Sequence, residues 1–291
     1  MKIKFINYKI LALLLMLISC QEQIEISLPQ INRNPVVNCW LNANGSYIFH
    51  LSFPTSANSN SIQVIDSAKV FILSDNKVDT LFHTKNGFYC NSSFSPSQGK
   101  PYKLEVKIDN YKNLYSIDSI PQTKINISAI EYRKDYKIDE EGDEYSEIRV
   151  SITDIHEGND YFGISVQSRN GKNGFYSHQI TSYSPEIMNE LGMETYPNIL
   201  VFKDDLFENA STKLKIRFYD DKATYVKIYS FSFDAYKYIK SWIIHDYTKE
   251  YDFWEVYEPV PLYSNIENGY GIFAGYSSQL LEVYPDSTVT F

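Results

Sequence analysis

Five Asn-Gly dipeptides punctuate this chain, at Asn44-Gly45, Asn86-Gly87, Asn170-Gly171, Asn173-Gly174 and Asn268-Gly269. Around them, hydrophobicity alternates with a period of two. In SYIFHLSF, Tyr47, Phe49, Leu51 and Phe53 share one face, with Ser46, Ile48, His50 and Ser52 on the other. That is the pattern of a strand with one side on a core. AKVFILS, PYKLEVKID, SEIRVSIT, YFGISVQS, KLKIRFY and TYVKIYSFSF repeat it. A two-residue hairpin turn needs positive φ, which Asn and Gly tolerate best, so strands joined this way predict antiparallel meanders. The expected fold class is mostly β.

One segment breaks the alternation. In SFDAYKYIKSWIIHDY, Ala235, Tyr238, Ile239, Trp242 and Ile243 fall at helical spacing behind a cap at Ser232 or Asp234, which predicts a short helix near 234–247 packed on a sheet. The polar, proline-bearing stretch SIPQTKI at 119–125 reads as a linker. Residues 35–120 are therefore expected to form an immunoglobulin-like or transthyretin-like β-sandwich, and 121–291 a second antiparallel β domain carrying the helix. The 25 tyrosines have two readings: they suit half-buried pleats, or they line a recognition surface.

The N-terminus carries an address. Lys2, Lys4 and Lys9 precede an apolar run from Ile10 to Ile18, the build of a secretory signal over residues 1–19. A spanning helix needs about 20 apolar residues, more than this run supplies. Leu17-Ile18-Ser19-Cys20 resembles a bacterial lipobox, which makes Cys20 the expected site of acylation (palmitate among the chains) and residues 20–34 a tether. Each buried methylene contributes roughly 0.8 kcal/mol, so several acyl chains anchor where one binds marginally. Removing the signal leaves 24 basic residues against 36 acidic ones, a formal charge of −12. An acidic body argues against nucleic acid as a partner, and leaves membrane attachment to the fatty chains.

Catalytic patterns are lacking. Cys39 and Cys90 could pair or remain two buried thiols, and sequence leaves both open. The acidic run Ile138 to Glu147 lacks the order of a calcium loop and reads as a solvated hairpin turning at Gly142. In DIHEGNDYFG, His156 and Glu157 begin a zinc-like pattern, but Asp160 stands where the second histidine belongs. Asp204, Asp205, Asp220 and Asp221 offer carboxylate pairs with no spacing that singles them out. No serine elbow and no phosphate cradle occur. We expect no catalytic residue, no metal ligand set and no cofactor: the chain reads as something other than an enzyme.

Near the C-terminus stands Asn265-Ile266-Glu267-Asn268-Gly269-Tyr270-Gly271-Ile272-Phe273-Ala274-Gly275. With Cys20, the VVNCWLN strand, SAKVFI followed by NGFYC, GKPYKLEV, Asp154 with Asp160-Tyr161-Phe162, and the Tyr-rich helix, this block resembles the outer-membrane lipoproteins of Bacteroidota grouped as a domain of unknown function, numbered 4249. Tyr270 replaces the leucine commoner in that pattern. The resemblance implies a surface lipoprotein, with the periplasmic face as the other orientation, that works with a TonB-dependent transporter in nutrient uptake, its ligand unknown. A structural subunit without a small ligand is the alternative, and an unrecognised hydrolase a further one. Within the block, Asn265, Ile266, Asn268, Gly269, Gly271 and Phe273 are read as a turn and closing strand needed for folding.

Overall fold

The structure is a computed structural model that describes residues 33–55, 61–75, 77–122, 125–153, 160–171, 174–185, 187, 191, 197–204, 211–219, 225–248 and 260–291. The signal, Cys20 and the tether as far as residue 32 lie outside the described residues.

The alternating segments form strands. The first group is β1 (Val36–Asn42), β2 (Tyr47–Ser52), β3 (Lys69–Ser74), β4 (Lys77–Lys85), β5 (Phe88–Cys90), β6 (Pro101–Lys107) and β7 (Leu114–Ser119). There follow β8 (Asn126–Ile138), β9 (Glu144–Thr153), β10 (Tyr161–Asn170), β11 (Gly174–Ser177), β12 (Leu200–Lys203), β13 (Ser211–Phe218) and β14 (Tyr225–Phe231). Helix α1 (Phe233–Tyr247), β15 (Tyr270–Glu282) and β16 (Ser287–Thr290) complete the elements among the described residues. At the turn between β4 and β5, Asn86 and Gly87 both take positive φ, 51° and 75°, as a tight hairpin requires.

The larger sheet runs β11-β10-β14-β15-β1-β2-β5-β4-β3-β6-β7, with β12 added on β10, and the smaller runs β13-β9-β8-β16. Local antiparallel hairpins account for much of this order. One pairing departs from the expected meanders: β1 and β15 lie parallel, in register from Val36 opposite Tyr270 to Asn42 opposite Tyr276. Turn chemistry announces only strands adjacent in sequence, and this pair joins the two ends of the fold. The far edge of the ribbon curls back as well. Tyr115 of β7 donates its N–H to the Glu267 carbonyl at 3.3 Å and accepts the Glu267 N–H at 2.8 Å.

Two hydrophobic cores result. Cys39, Phe49, Leu51, Val70, Ile72, Leu104 and Leu114 fill the first. The second lies between the smaller sheet and β10, β14 and β15, with Ile148, Val150, Ile164, Val166, Leu214, Phe218 and Val226. The change of core falls where the linker was expected, but strand β15 belongs to both. Phe273 is buried in the first core, and its neighbours Ile272 and Ala274 in the second, because successive side chains of a strand point to opposite faces. Residues 33–291 accordingly cluster as one compact unit, with Ile266 and Phe273 from the C-terminal part completing the N-terminal core.

Helix α1 starts one residue before its expected limit. Of the two possible caps it uses Ser232, whose Oγ accepts the Ala235 N–H at 3.1 Å. Ala235, Tyr236 and Ile243 are buried, and Tyr238 sets its ring 5.7 Å from Trp40 of β1 in an edge-on contact. No helix among the described residues is long and apolar enough to cross a membrane. The question of the two cysteines is also answered: both are free, Cys39 within the first core and Cys90 exposed. Burial pushes the Cys39 thiol well up, which leaves it inert.

Candidate functional site

Strand β15 reads YGIFAGYSSQLLE. Its first half feeds the cores with Ile272, Phe273 and Ala274, and Leu281 returns to the second core. Between these lies the polar interlude Ser277, Ser278 and Gln279, set where the two cores part. A cavity of about 530 Å³ opens at this seam. Asn42 at the end of β1, Asn44, Gln98, Ser230 of β14, Ser277 and Gln279 line it, over an apolar wall of Ile125 and Ile228. The lining holds amides and hydroxyls and no charged side chain. Asn42 is fixed: its Oδ1 accepts the Asn44 N–H at 3.2 Å and its Nδ2 donates to the Tyr276 hydroxyl at 3.3 Å. Ser230 and Ser277 stand opposite each other in the β14–β15 register. They are 5% and 8% exposed, and among the described residues neither hydroxyl has a hydrogen-bond partner.

Beside the cavity lies a denser polar node, and its origin is a missing strand. Strand β14 pairs with β15 only from Phe231 opposite Tyr276 onward, because at Ser232 the chain turns into α1. The edge of β15 before Tyr276 that faces away from β1 thus needs other partners, since buried backbone groups are costly when unpaired. Side chains supply them. Asp118 of β7 accepts the Gly275 N–H at 2.8 Å and the Ser232 hydroxyl at 2.5 Å, and the Gly275 carbonyl accepts the Ser232 N–H at 3.0 Å. Two residues earlier along β15, Asn265 grips the Phe273 backbone on both sides of its Cα. Its Oδ1 accepts the Phe273 N–H at 3.0 Å and its Nδ2 donates to the Phe273 carbonyl at 2.8 Å. The same Nδ2 donates to Asp234 at 3.0 Å, and Asp234 also accepts the Tyr263 hydroxyl at 2.5 Å.

Desolvation raises the Asp118 carboxyl to about 6, helped by the like charge of Asp234 and opposed by its Ser232 and Gly275 donors. Burial, then the Asp234 carboxylate, raises the Tyr263 hydroxyl, which stays a donor. For Asp118 the folded state holds the proton more tightly than the unfolded one. Its favourable contribution is therefore complete below the unfolded value of 3.8 and is lost as pH rises to about 6. The melting temperature of wild type relative to Asp118→Asn is expected to fall across that window. A calorimetric difference that stays level there would exclude this account.

Comparison with known families matches residues 21–280 to a domain of unknown function, DUF4249. The chain belongs to the DUF4249 family. No curated protein matches it.

In this DUF4249 chain the C-terminal block closes the fold. Ile266 and Phe273 are buried in the first core. Asn268 takes φ 63° at the turn and donates its Nδ2 to the Asn113 carbonyl at 2.9 Å. At Gly269 a Cβ would lie 2.8 Å from the Pro35 carbonyl oxygen, and at Gly271 and Gly275 it would run into the carbonyls of Val37 and Ser119. Asn265 bridges to the helix as described. The structure thus brings together Asn265, Ile266, Asn268, Gly269, Gly271 and Phe273, and joins them to Asp118, Ser232 and Asp234, which the sequence alone did not mark as partners. The seam residues were missed too, although a polar Ser-Ser-Gln inside an apolar strand was the available signal. Cys20, His156, Glu157, Asp205, Asp220 and Asp221 lie outside the described residues. Asp204 is buried, with its Oδ1 accepting the Asp160 N–H at 2.9 Å. Among the described residues no group of His, Cys, Asp or Glu could hold a metal ion.

Proposed function

We propose that this chain is a lipid-anchored lipoprotein of the outer membrane, facing the cell surface, that acts as a binding component of a TonB-dependent nutrient uptake system. The seam cavity supports this reading: its volume of about 530 Å³ falls within the roughly 300–1,000 Å³ usual for small-molecule sites. The lipobox at Cys20 supplies the tether, and the acidic body supplies no electrostatic route to anionic headgroups. Pull-down from detergent-solubilised membranes, with mass spectrometry of proteins and small molecules, is expected to return a TonB-dependent transporter together with a small ligand. A preparation that yields neither removes the proposal. Surface orientation is tested separately, by protease treatment of intact cells, where full protection would place the chain on the periplasmic face.

Cys20→Ser is expected to shift the protein from the membrane pellet to the soluble fraction, with loss of the diacylglycerol mass from the processed chain. Retention of the variant in the pellet would exclude acyl anchoring.

A second reading, a bracing subunit without a small ligand, is favoured by one surface. Arg217 lies over Tyr183 at 4.2 Å and over Tyr145 at 4.7 Å, and Arg149 over Tyr136 at 5.2 Å. Exposed Tyr219 and Tyr183 extend the patch. Arginine and tyrosine concentrate in the energetic centres of protein interfaces. Transporter recovery without any ligand-dependent rise in melting temperature would select this reading, since a ligand selective for the folded state must stabilise it.

A further inference from the structure

We infer that the seam cavity takes a neutral, hydroxyl-rich ligand of the saccharide or polyol class. This rests on the binding reading above and specifies its cargo.

Ser230 and Ser277 are each more than nine-tenths buried as residues and line the cavity, and their hydroxyls have no hydrogen-bond partner among the described residues. Open to the cavity, these hydroxyls are free to donate to, and accept from, whatever fills it, water or a ligand. An apolar guest would leave both hydroxyls unmet. An ionic guest would lose its hydration against a lining with no charged side chain to replace it. Gln98 and the exposed Gln279 add amides, each offering donors and an acceptor, which suits hydroxyls because a hydroxyl is both at once. Ile125 and Ile228 form an apolar wall that suits the C–H face of a sugar ring. Amides and hydroxyls beside a small apolar surface fit a molecule whose own surface has the same mixture. Asn42, held by the Asn44 N–H and the Tyr276 hydroxyl, presents its amide already oriented, which lowers the ordering cost of binding.

The test uses the full-length chain extracted from membranes in a detergent without a sugar headgroup. Probes are the neutral disaccharides sucrose, maltose, lactose and cellobiose, set against citrate, glutamate and spermidine as charged probes. At least one disaccharide is expected to raise the melting temperature saturably and to bind by calorimetry. The pair Ser230→Ala with Ser277→Ala should weaken that binding on the order of tenfold while leaving the melting temperature of the unliganded protein little changed, because neither hydroxyl holds a partner within the described fold. Gln279→Ala, at an exposed position, should weaken binding without touching either core. Disaccharide affinity unchanged in both variants would overturn the inference, as would failure of all four disaccharides. A charged probe that binds and is weakened by these substitutions overturns the ligand class while leaving ligand capture itself in place. The co-purification above decides capture on its own evidence.

Discussion

Gly271→Ala is expected to destabilise the folded protein by about 3 kcal/mol or more. Two costs combine at this position. The backbone holds φ at +100°, outside the regions open to a residue with a Cβ. The added methyl would also run into the Val37 backbone, directly across the parallel pair of β1 and β15. Relief requires the strands to separate at the point where the chain's two ends meet. Against a total stability of about 5–15 kcal/mol for a typical domain, that loss leaves a large unfolded fraction under mild denaturation. Gly142→Ala separates the two costs. Gly142 has φ +97° but nothing within 4 Å of an added Cβ, so only the conformational part applies, about 1 kcal/mol. Urea unfolding of both variants measures the difference. Equal midpoints would refute the steric argument at Gly271.

Asn265→Leu is the second large effect, expected at about 3 kcal/mol. The wild-type side chain behaves as a substitute strand, meeting both the N–H and the carbonyl of Phe273, with its remaining N–H on Asp234. Leucine is close in volume, so packing changes little, while two backbone groups lose their partners and Asp234 loses a donor. An Asn265→Asp control keeps the acceptor for Phe273 N–H but removes the donors and adds a negative charge beside Asp234. It should be at least as damaging above the carboxylate pKa range and milder below it, where its protonated form can donate again. Chemical denaturation at two pH values reads this out. Asn265→Leu unfolding at the wild-type midpoint would show that water replaces the clamp at no cost.

What the sequence disclosed follows from the range of each signal. Period-two patterns and Asn-Gly pairs report on a few residues at a time. They placed strands such as β2 and β9, the hairpin at Asn86-Gly87, and helix α1, whose apolar spacing recurs over three turns. The parallel union of β1 with β15 has no such local mark: nothing about VVNCWLN points to a segment more than two hundred positions later. The block from Asn265 to Gly275 was visible as a block, and its role as a turn and closing strand with it. Its partners Asp118 and Ser232 were not, because a single Asp or Ser in a polar stretch reads the same whether it caps an orphaned edge or faces solvent. The seam serines were hidden for a related reason. Ser277 is unremarkable in the sequence and acquires meaning only when Ser230 comes to stand across from it.

The union of β1 with β15 also governs how the chain comes into being. One flank of β1 stays bare until residue 270 and its successors have come to lie beside it. Until then an extended hydrophobic segment offers a template to any other strand nearby. A copy that has lost its tail therefore keeps that flank open for good.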